Sequence, residues 1–159
     1  MKAAIYCRVS TEDQNISQQK ELLVRYCNEK SIQYKSYSDD AISGTINDRP
    51  EWNKLLKDCE NGNYNKIIVT KWDRITRDLE YAIRFIKWIS EQKEIHLISI
   101  YDGQLDLSPD KIFQFKLKCL LSEYELDLLR WRSKIGIERA KKEGKYKGGK
   151  KGRTWINNS

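Results

Sequence analysis

Tyr6, Arg8 and Ser10 fall at alternating positions, and on an extended segment alternate side chains point the same way. A serine hydroxyl beside an arginine at the end of a central strand can act as a nucleophile whose substrate charge the guanidinium neutralises. The run Ser10-Thr11-Glu12-Asp13 equally reads as a helix cap with its capping acids. Asp73-Arg74 with Arg77 form a second cationic group, and Arg49 supplies a third after a polar stretch. Four arginines at one edge would repel one another unless an anion is bound or the carboxylates of Asp39 and Asp73 hold them apart. A phosphodiester suits such a cluster. Guanidinium groups match its non-bridging oxygens bidentately and stabilise the charge of a pentacovalent transition state without a metal. A surface salt-bridge network is the competing explanation of the same spacing.

Apolar and polar stretches alternate in a β-α-β-α rhythm, which predicts an α/β fold: a mainly parallel sheet of four to five strands flanked by helices, then a long C-terminal helix. Strands are expected at residues 2–7, 32–37, 66–70 and 95–101. Helices are expected at 18–30, carrying Leu22, Leu23, Tyr26 and Cys27, from Pro50 with Trp52, Leu55, Leu56 and Cys59 until Asn61-Gly62, and at about 79–92. Residues 38–49, holding Asp39, Asp40, Ser43 and Gly44, are too long for a simple turn and read as a functional loop. The segment 71–78 follows a strand's carboxyl end, where ligands of open α/β sheets bind.

Ser108-Pro109 reads as an N-cap and first helical residue, followed by apolar positions Phe113, Leu117, Leu120, Leu121, Tyr124, Leu128, Trp131 and Ile135. A helix from 109 to 143 would be about 50 Å long, more than a domain of this size is wide. The apolar face past Tyr124 is then expected to be buried against a second subunit, giving a dimer or higher oligomer. The expected division is a core at 1–107, the long helix at 108–143, and a basic flexible linker or tail at 144–159 with no DNA-recognition domain following.

The chain has 159 residues and a net charge of +7. A charged fraction of 33%, with no apolar run of about 18 residues, excludes a membrane span, and Arg8 and Ser10 come too early for a secretory signal. A soluble intracellular protein is expected. Cys7, Cys27, Cys59 and Cys119 form no CxxC pair and suit reduced, mostly buried thiols. His96 is the sole histidine, which removes Ser-His-Asp triads and His-rich metal sites. Between 130 and 153 stand eleven basic residues, Arg130, Arg132, Lys134, Arg139, Lys141, Lys142, Lys145, Lys147, Lys150, Lys151 and Arg153, against Glu138 and Glu143. That tail carries +9 and the first 129 residues −2. Counterion release makes nucleic acid the expected partner of such a block, with a merely solvated tail as the alternative.

Tyr6-Cys7-Arg8-Val9-Ser10-Thr11 with Gln14 and Gln19, then Asp39, Ser43-Gly44 and Arg49-Pro50, then Lys71-Trp72-Asp73-Arg74-Ile75-Thr76-Arg77-Asp78, resemble in order and spacing the catalytic domain of the serine recombinases, the resolvase/invertase family. The resemblance runs from about residue 2 to about residue 153. It implies a site-specific recombinase in which Ser10 attacks a DNA phosphodiester, forms a 5′-phosphoserine link and frees a 3′-hydroxyl. It further implies that Arg8, Arg74 and Arg77 contact the scissile phosphate, with Arg49 assisting and Asp73 orienting the arginines. Tyr6, Gln14, Gln19, Asp39 and Ser43 would be supporting residues, with Asp40 as the alternative to Asp39. No metal, nucleotide or other cofactor is implied, in keeping with the missing GxxxxGK[ST] loop. The partners implied are double-stranded DNA, a second copy in a homodimer, and a synaptic tetramer as the active form. Where many relatives have Glu-Arg in the long helix, this chain has Glu125-Leu126. With the sequence stopping at Ser159, the chain reads either as a catalytic domain excised from a separate DNA-recognition domain or as a natural short form that depends on a partner or on its basic tail for targeting. A cytoplasmic enzyme of a prokaryotic nucleoid or mobile element is expected. Two alternatives use the same residues: a catalytically silent DNA-bridging or regulatory protein of this fold, and a metal-dependent nuclease built on Asp39, Asp40, Asp73 and Asp78.

Overall fold

The computed structural model describes residues 2–8, 16–39, 49–92, 94–146 and 148. In chain order the elements are β1 (Lys2–Arg8), α1 (Ile16–Glu29), β2 (Gln33–Asp39), α2 (Pro50–Glu60), β3 (Lys66–Val69), a single 3-10 turn (Trp72–Arg74), α3 (Leu79–Glu91), β4 (His96–Ser99), β5 (Gly103–Leu105) and α4 (Pro109–Lys142). One sheet runs in the order β2-β1-β3-β4-β5, parallel except for the antiparallel β4–β5 pair.

Residues 3–7 of β1 are all buried because the sheet is covered on both faces, so the strand reads as a continuous apolar run. Its pleat sends Ala3, Ile5 and Cys7 to one face with Leu23 and Cys27 of α1. Ala4 and Tyr6 go to the other, into a larger core with Trp52, Leu55, Trp72, Phe85 and Phe115. The chain leaves β1 on one face to reach β2 and returns across the other to reach β3, so the strand order reverses between β1 and β3. Their carboxyl ends, at Arg8 and at the turn after Val69, therefore flank the crevice in which a ligand of such a sheet sits. The register also sets Arg8 opposite Asp39.

The last expected strand differs from the one observed. β4 ends at Ser99, and the chain reverses into the short strand β5, with Gly103 supplying the positive φ of 84°. Ser108 caps α4 as its type suggests, its Oγ accepting from the Lys111 N–H at 3.4 Å. The residues that seat the start of α4 are Phe115 and Cys119, four apart and fully buried, whereas Phe113, Leu117, Leu120 and Leu121 of the expected stripe are exposed. A helix that shows apolar groups on more than one face hides which of them is the core stripe. The four cysteines are free and buried, and burial pushes the Cys7 thiol up to about 11 and those of Cys59 and Cys119 to about 12.

The chain divides into two compact units, residues 1–123 and 124–159. The first holds the sheet, α1 to α3 and the beginning of α4. The second holds the rest of α4, on which Tyr124, Leu129, Trp131, Ile135 and Ile137 are exposed. No helix among the described residues is long and apolar enough to cross a membrane.

Candidate active site

Arg8 ends β1, and the groups around it are built outward from Asp39 on the neighbouring strand. Asp39 is buried, and its carboxylate accepts from the Glu51 N–H at 3.0 Å, the Trp52 N–H at 3.0 Å and the Tyr6 hydroxyl at 2.9 Å. Arg49, the residue before α2, has no side-chain oxygen with which to cap that helix, so Asp39 does it from β2. One carboxylate thereby locks the start of α2, the end of β2 and Tyr6 of β1 together.

The Tyr6 hydroxyl passes this on. It donates to Asp39 and accepts from Nε and Nη2 of Arg49 at 3.2 and 3.1 Å, which fills its hydrogen-bonding capacity. Burial raises its pKa well above that of a free tyrosine, keeping the donor proton in place. Arg49 Nη1 donates to the Ile75 carbonyl, and its guanidinium lies 4.8 Å from the Trp52 ring centre, 5.3 Å from Tyr6 and 5.9 Å from Tyr81. Trp52 Nε1 donates to the Tyr81 hydroxyl at 2.6 Å and so fixes two walls of that box. Arg49 is thus a tie between β1, α2 and the arginine-bearing turn.

Arg74 and Arg77, like Arg49, lie within electrostatic reach of Arg8. Burial, and after it the nearby charge of Arg49, lower the pKa of Arg8, with Arg77 and Arg74 adding in the same direction. Arg8 therefore feels three other guanidinium groups at this edge, and an anion placed among them would relieve both the repulsion and the desolvation. Arg74 pairs with Asp73 at 3.5 Å, both side chains being largely buried. Asp39 acts on the cluster differently from the expected shield against repulsion, reaching Arg49 through the Tyr6 hydroxyl. The backbone on either side of Arg77 is pinned by its neighbours. Thr76 Oγ1 accepts from the Asp78 N–H at 3.0 Å, and Asp78 caps α3 by accepting from the Tyr81 N–H at 2.8 Å. Gln19 on α1 lines a cleft of about 220 Å³ together with Gln18, Leu22, Thr70, Lys71, Arg74 and Tyr101.

The structure brings Tyr6, Arg8, Asp39, Arg49, Asp73, Arg74 and Arg77 together, with Gln19 beside Arg74. Ser10, Gln14, Ser43 and Asp40 lie outside the described residues, as do Lys147, Lys150, Lys151 and Arg153. Arg130, Arg132, Lys134, Arg139, Lys141, Lys142 and Lys145 are all exposed, on α4 and just past its end. Some make surface pairs, Arg130 with Asp127 at 3.3 Å and Arg139 and Lys145 with Glu143 at 3.0 and 2.9 Å, of a kind weak enough for a phosphate to replace. Sequence reasoning missed the ring box of Trp52 and Tyr81 and the Ile75 carbonyl. An aromatic residue on a helix stripe reads as core whether or not it also faces a cation.

A family model described as the resolvase N-terminal domain matches residues 3–146. The transposon Tn1546 resolvase of Enterococcus faecium is 37% identical over 151 residues, covering 93% of this chain and 74% of that protein. The serine recombinase gin of Escherichia phage Mu is 32% identical over 143 residues, covering 90% and 69%. The crystal structure of the N-terminal catalytic domain of TP901-1 integrase superposes with a TM-score of 0.60 at 27% identity, covering 80% of this chain and 98% of that one.

Chemical denaturation tests the order of dependence within the cluster. Tyr6→Phe removes one hydroxyl and should cost about 1–2 kcal/mol, whereas Asp39→Ala uncaps α2 and strands the Tyr6 donor, for about 2–4 kcal/mol. Equal costs, or the reverse order, would contradict the placement of Asp39 at the root of the cluster.

Proposed function

The chain belongs to the resolvase family of serine recombinases, enzymes of site-specific DNA recombination, and we propose that Ser10 is its nucleophile. In the cleavage step Ser10 Oγ bonds to phosphorus, the bond from phosphorus to the 3′-oxygen breaks, and the serine proton ends on the freed 3′-hydroxyl. The product is a 5′-phosphoserine link. Rejoining runs the same exchange backwards with a different 3′-hydroxyl. One phosphate ester replaces another at each step, so neither nucleotide hydrolysis nor a metal is required for the energy balance.

The observation that carries this reading is that Arg49 reaches both the Tyr6 hydroxyl of β1 and the Ile75 carbonyl beside Arg74, which gathers it with Arg8, Arg74 and Arg77 at the carboxyl edge of the sheet. A dianionic pentacovalent phosphorane is the charge such a group stabilises most, and more strongly than the monoanionic ground state. Arg8, Arg74 and Arg77 contact the non-bridging oxygens, Arg49 braces the site from behind, and Asp73 orients Arg74. Tyr6, Asp39 and Gln19 support this arrangement, with Gln14 and Ser43 as further supporting residues. The nuclease alternative is disfavoured by the use of its carboxylates, since Asp39 and Asp78 cap helices and Asp73 pairs with Arg74. A silent DNA-bridging protein is disfavoured by the presence of Ser10 with the full set of arginines.

The basic residues of α4 and the tail bind the DNA backbone, and the enzyme works in the cytoplasm, where that DNA is. The exposed Trp131, Ile135 and Ile137 support assembly of two chains through α4, with a tetramer as the active synaptic form. Target choice is assigned to a DNA-recognition domain or partner.

Incubation with nicked duplex carrying a candidate site, in EDTA, should give a protein–DNA adduct that mass spectrometry locates on Ser10. Ser10→Ala should give none, and an adduct that survives this change or vanishes in EDTA would contradict the mechanism. In sedimentation, the native chain should show a concentration-dependent dimer that the double change Trp131→Glu and Ile135→Glu converts to monomer. A native chain that stays monomeric at every concentration would contradict assembly through α4.

A further inference from the structure

Asp102 stands in the reversal between β4 and β5, and its side chain is only 3% exposed. A buried carboxylate is costly unless hydrogen bonds and a countercharge satisfy it. Its Oδ2 accepts from the Trp72 N–H at 2.7 Å and from the Ser99 hydroxyl at 2.9 Å, and its Oδ1 pairs with the Lys118 ammonium of α4. Its own N–H donates to Ser99 Oγ at 3.0 Å.

Trp72 opens the 3-10 turn that contains Asp73 and Arg74. Lys71 before it is extended and offers no side-chain cap, so Asp102 supplies the cap from the β4–β5 turn. α4 meets the same segment repeatedly. The ring of Phe115 lies 5.7 Å from that of Trp72, the Lys111 ammonium lies 5.9 Å from the Trp72 ring centre, and Glu123 Oε2 accepts from the Leu79 N–H at 3.4 Å. Helix α4 therefore grips the arginine-bearing segment at its first residue, through Asp102 and Lys118, and just beyond its last.

We propose that Asp102 is a positioning residue for strand cleavage, setting the place of Arg74 through the Trp72 amide and, with Lys118, tying that place to helix α4. This rests on the recombinase reading. A misplaced guanidinium would miss the phosphate oxygens although fold and DNA affinity survive, and a shift of about 1 Å is enough to cost on the order of a hundredfold in rate.

The test uses Asp102→Ala, Asp102→Asn and Lys118→Met in the full chain, at a temperature where each variant is shown by its melting curve to be folded. Single-turnover cleavage of the nicked duplex should fall on the order of a hundredfold in Asp102→Ala with DNA affinity unchanged. It should recover in part in Asp102→Asn, whose amide oxygen still accepts from the Trp72 N–H. A purely structural role would leave the folded variants cleaving at the native rate, and that result would overturn the proposal. Amide exchange and the Arg74 Nε–Hε resonance are read in parallel without any cleavage. Asp102→Ala, or Lys118→Met to a lesser degree, should speed exchange at Trp72 ahead of Ile67 and Ile68 and shift the Arg74 signal. An unmoved Arg74 signal would overturn the positioning role, whereas native chain that makes no adduct while Arg74 shifts in the variant would count against the recombinase reading alone.

Discussion

Holding four part-buried guanidinium groups at one sheet edge is the constraint around which this molecule is arranged. Arg8 is desolvated within electrostatic reach of Arg49, Arg74 and Arg77, and left to themselves such groups would swing out to water. Arg49 and Arg74 are held by acceptors close at hand. Asp39 anchors Tyr6, Tyr6 and the Ile75 carbonyl anchor Arg49, and Asp73 pairs with Arg74. The cost of holding positive charge in place is offset when a phosphodiester arrives, which is how a preorganised site stabilises a transition state without rearranging at the moment of reaction.

The sheet makes this arrangement compact. Because the strand order reverses between β1 and β3, the strand that carries Arg8 lies directly beside the one that leads into Asp73 and Arg74. Parallel pairing with β2 brings Asp39 level with Arg8. The same carboxylate that braces Tyr6 also caps α2, so the site and the helix start cannot be altered independently. Asp102 does the corresponding work on the far side of β3, where it caps the 3-10 turn and meets α4.

Much of this was legible in the residues. The apolar run of β1, the helical spacing of Trp52, Leu55 and Cys59, and the Asn61-Gly62 stop mark elements whose formation depends on local pattern. The charged motif at 71–78 could be placed at a strand's carboxyl end for the same reason. The rest depends on tertiary contact. β5 is three residues long, too short for alternation to show, and follows a reversal set by Gly103. The buried side of α4 was obscured because Phe113, Leu117, Leu120 and Leu121 are exposed apolar residues that mimic a core stripe, while the seat is made by Phe115 and the small Cys119. That Arg49 lies among three rings, and that Asp102 caps a turn thirty residues before it, has no periodic signature.

If the arginine cluster acts on the charge of a phosphodiester, its residues should matter far less on a neutral substrate. Cleavage rates of Arg8→Ala, Arg74→Ala and Arg77→Ala would be measured on a duplex whose cleaved phosphate carries a methyl group in place of one non-bridging oxygen. On the ordinary phosphate each loss should be on the order of a hundredfold or more, and on the neutral methylphosphonate about tenfold or less, because there is less charge left to stabilise. Equal losses on the two substrates would mean that these arginines only shape the site, and would contradict the account.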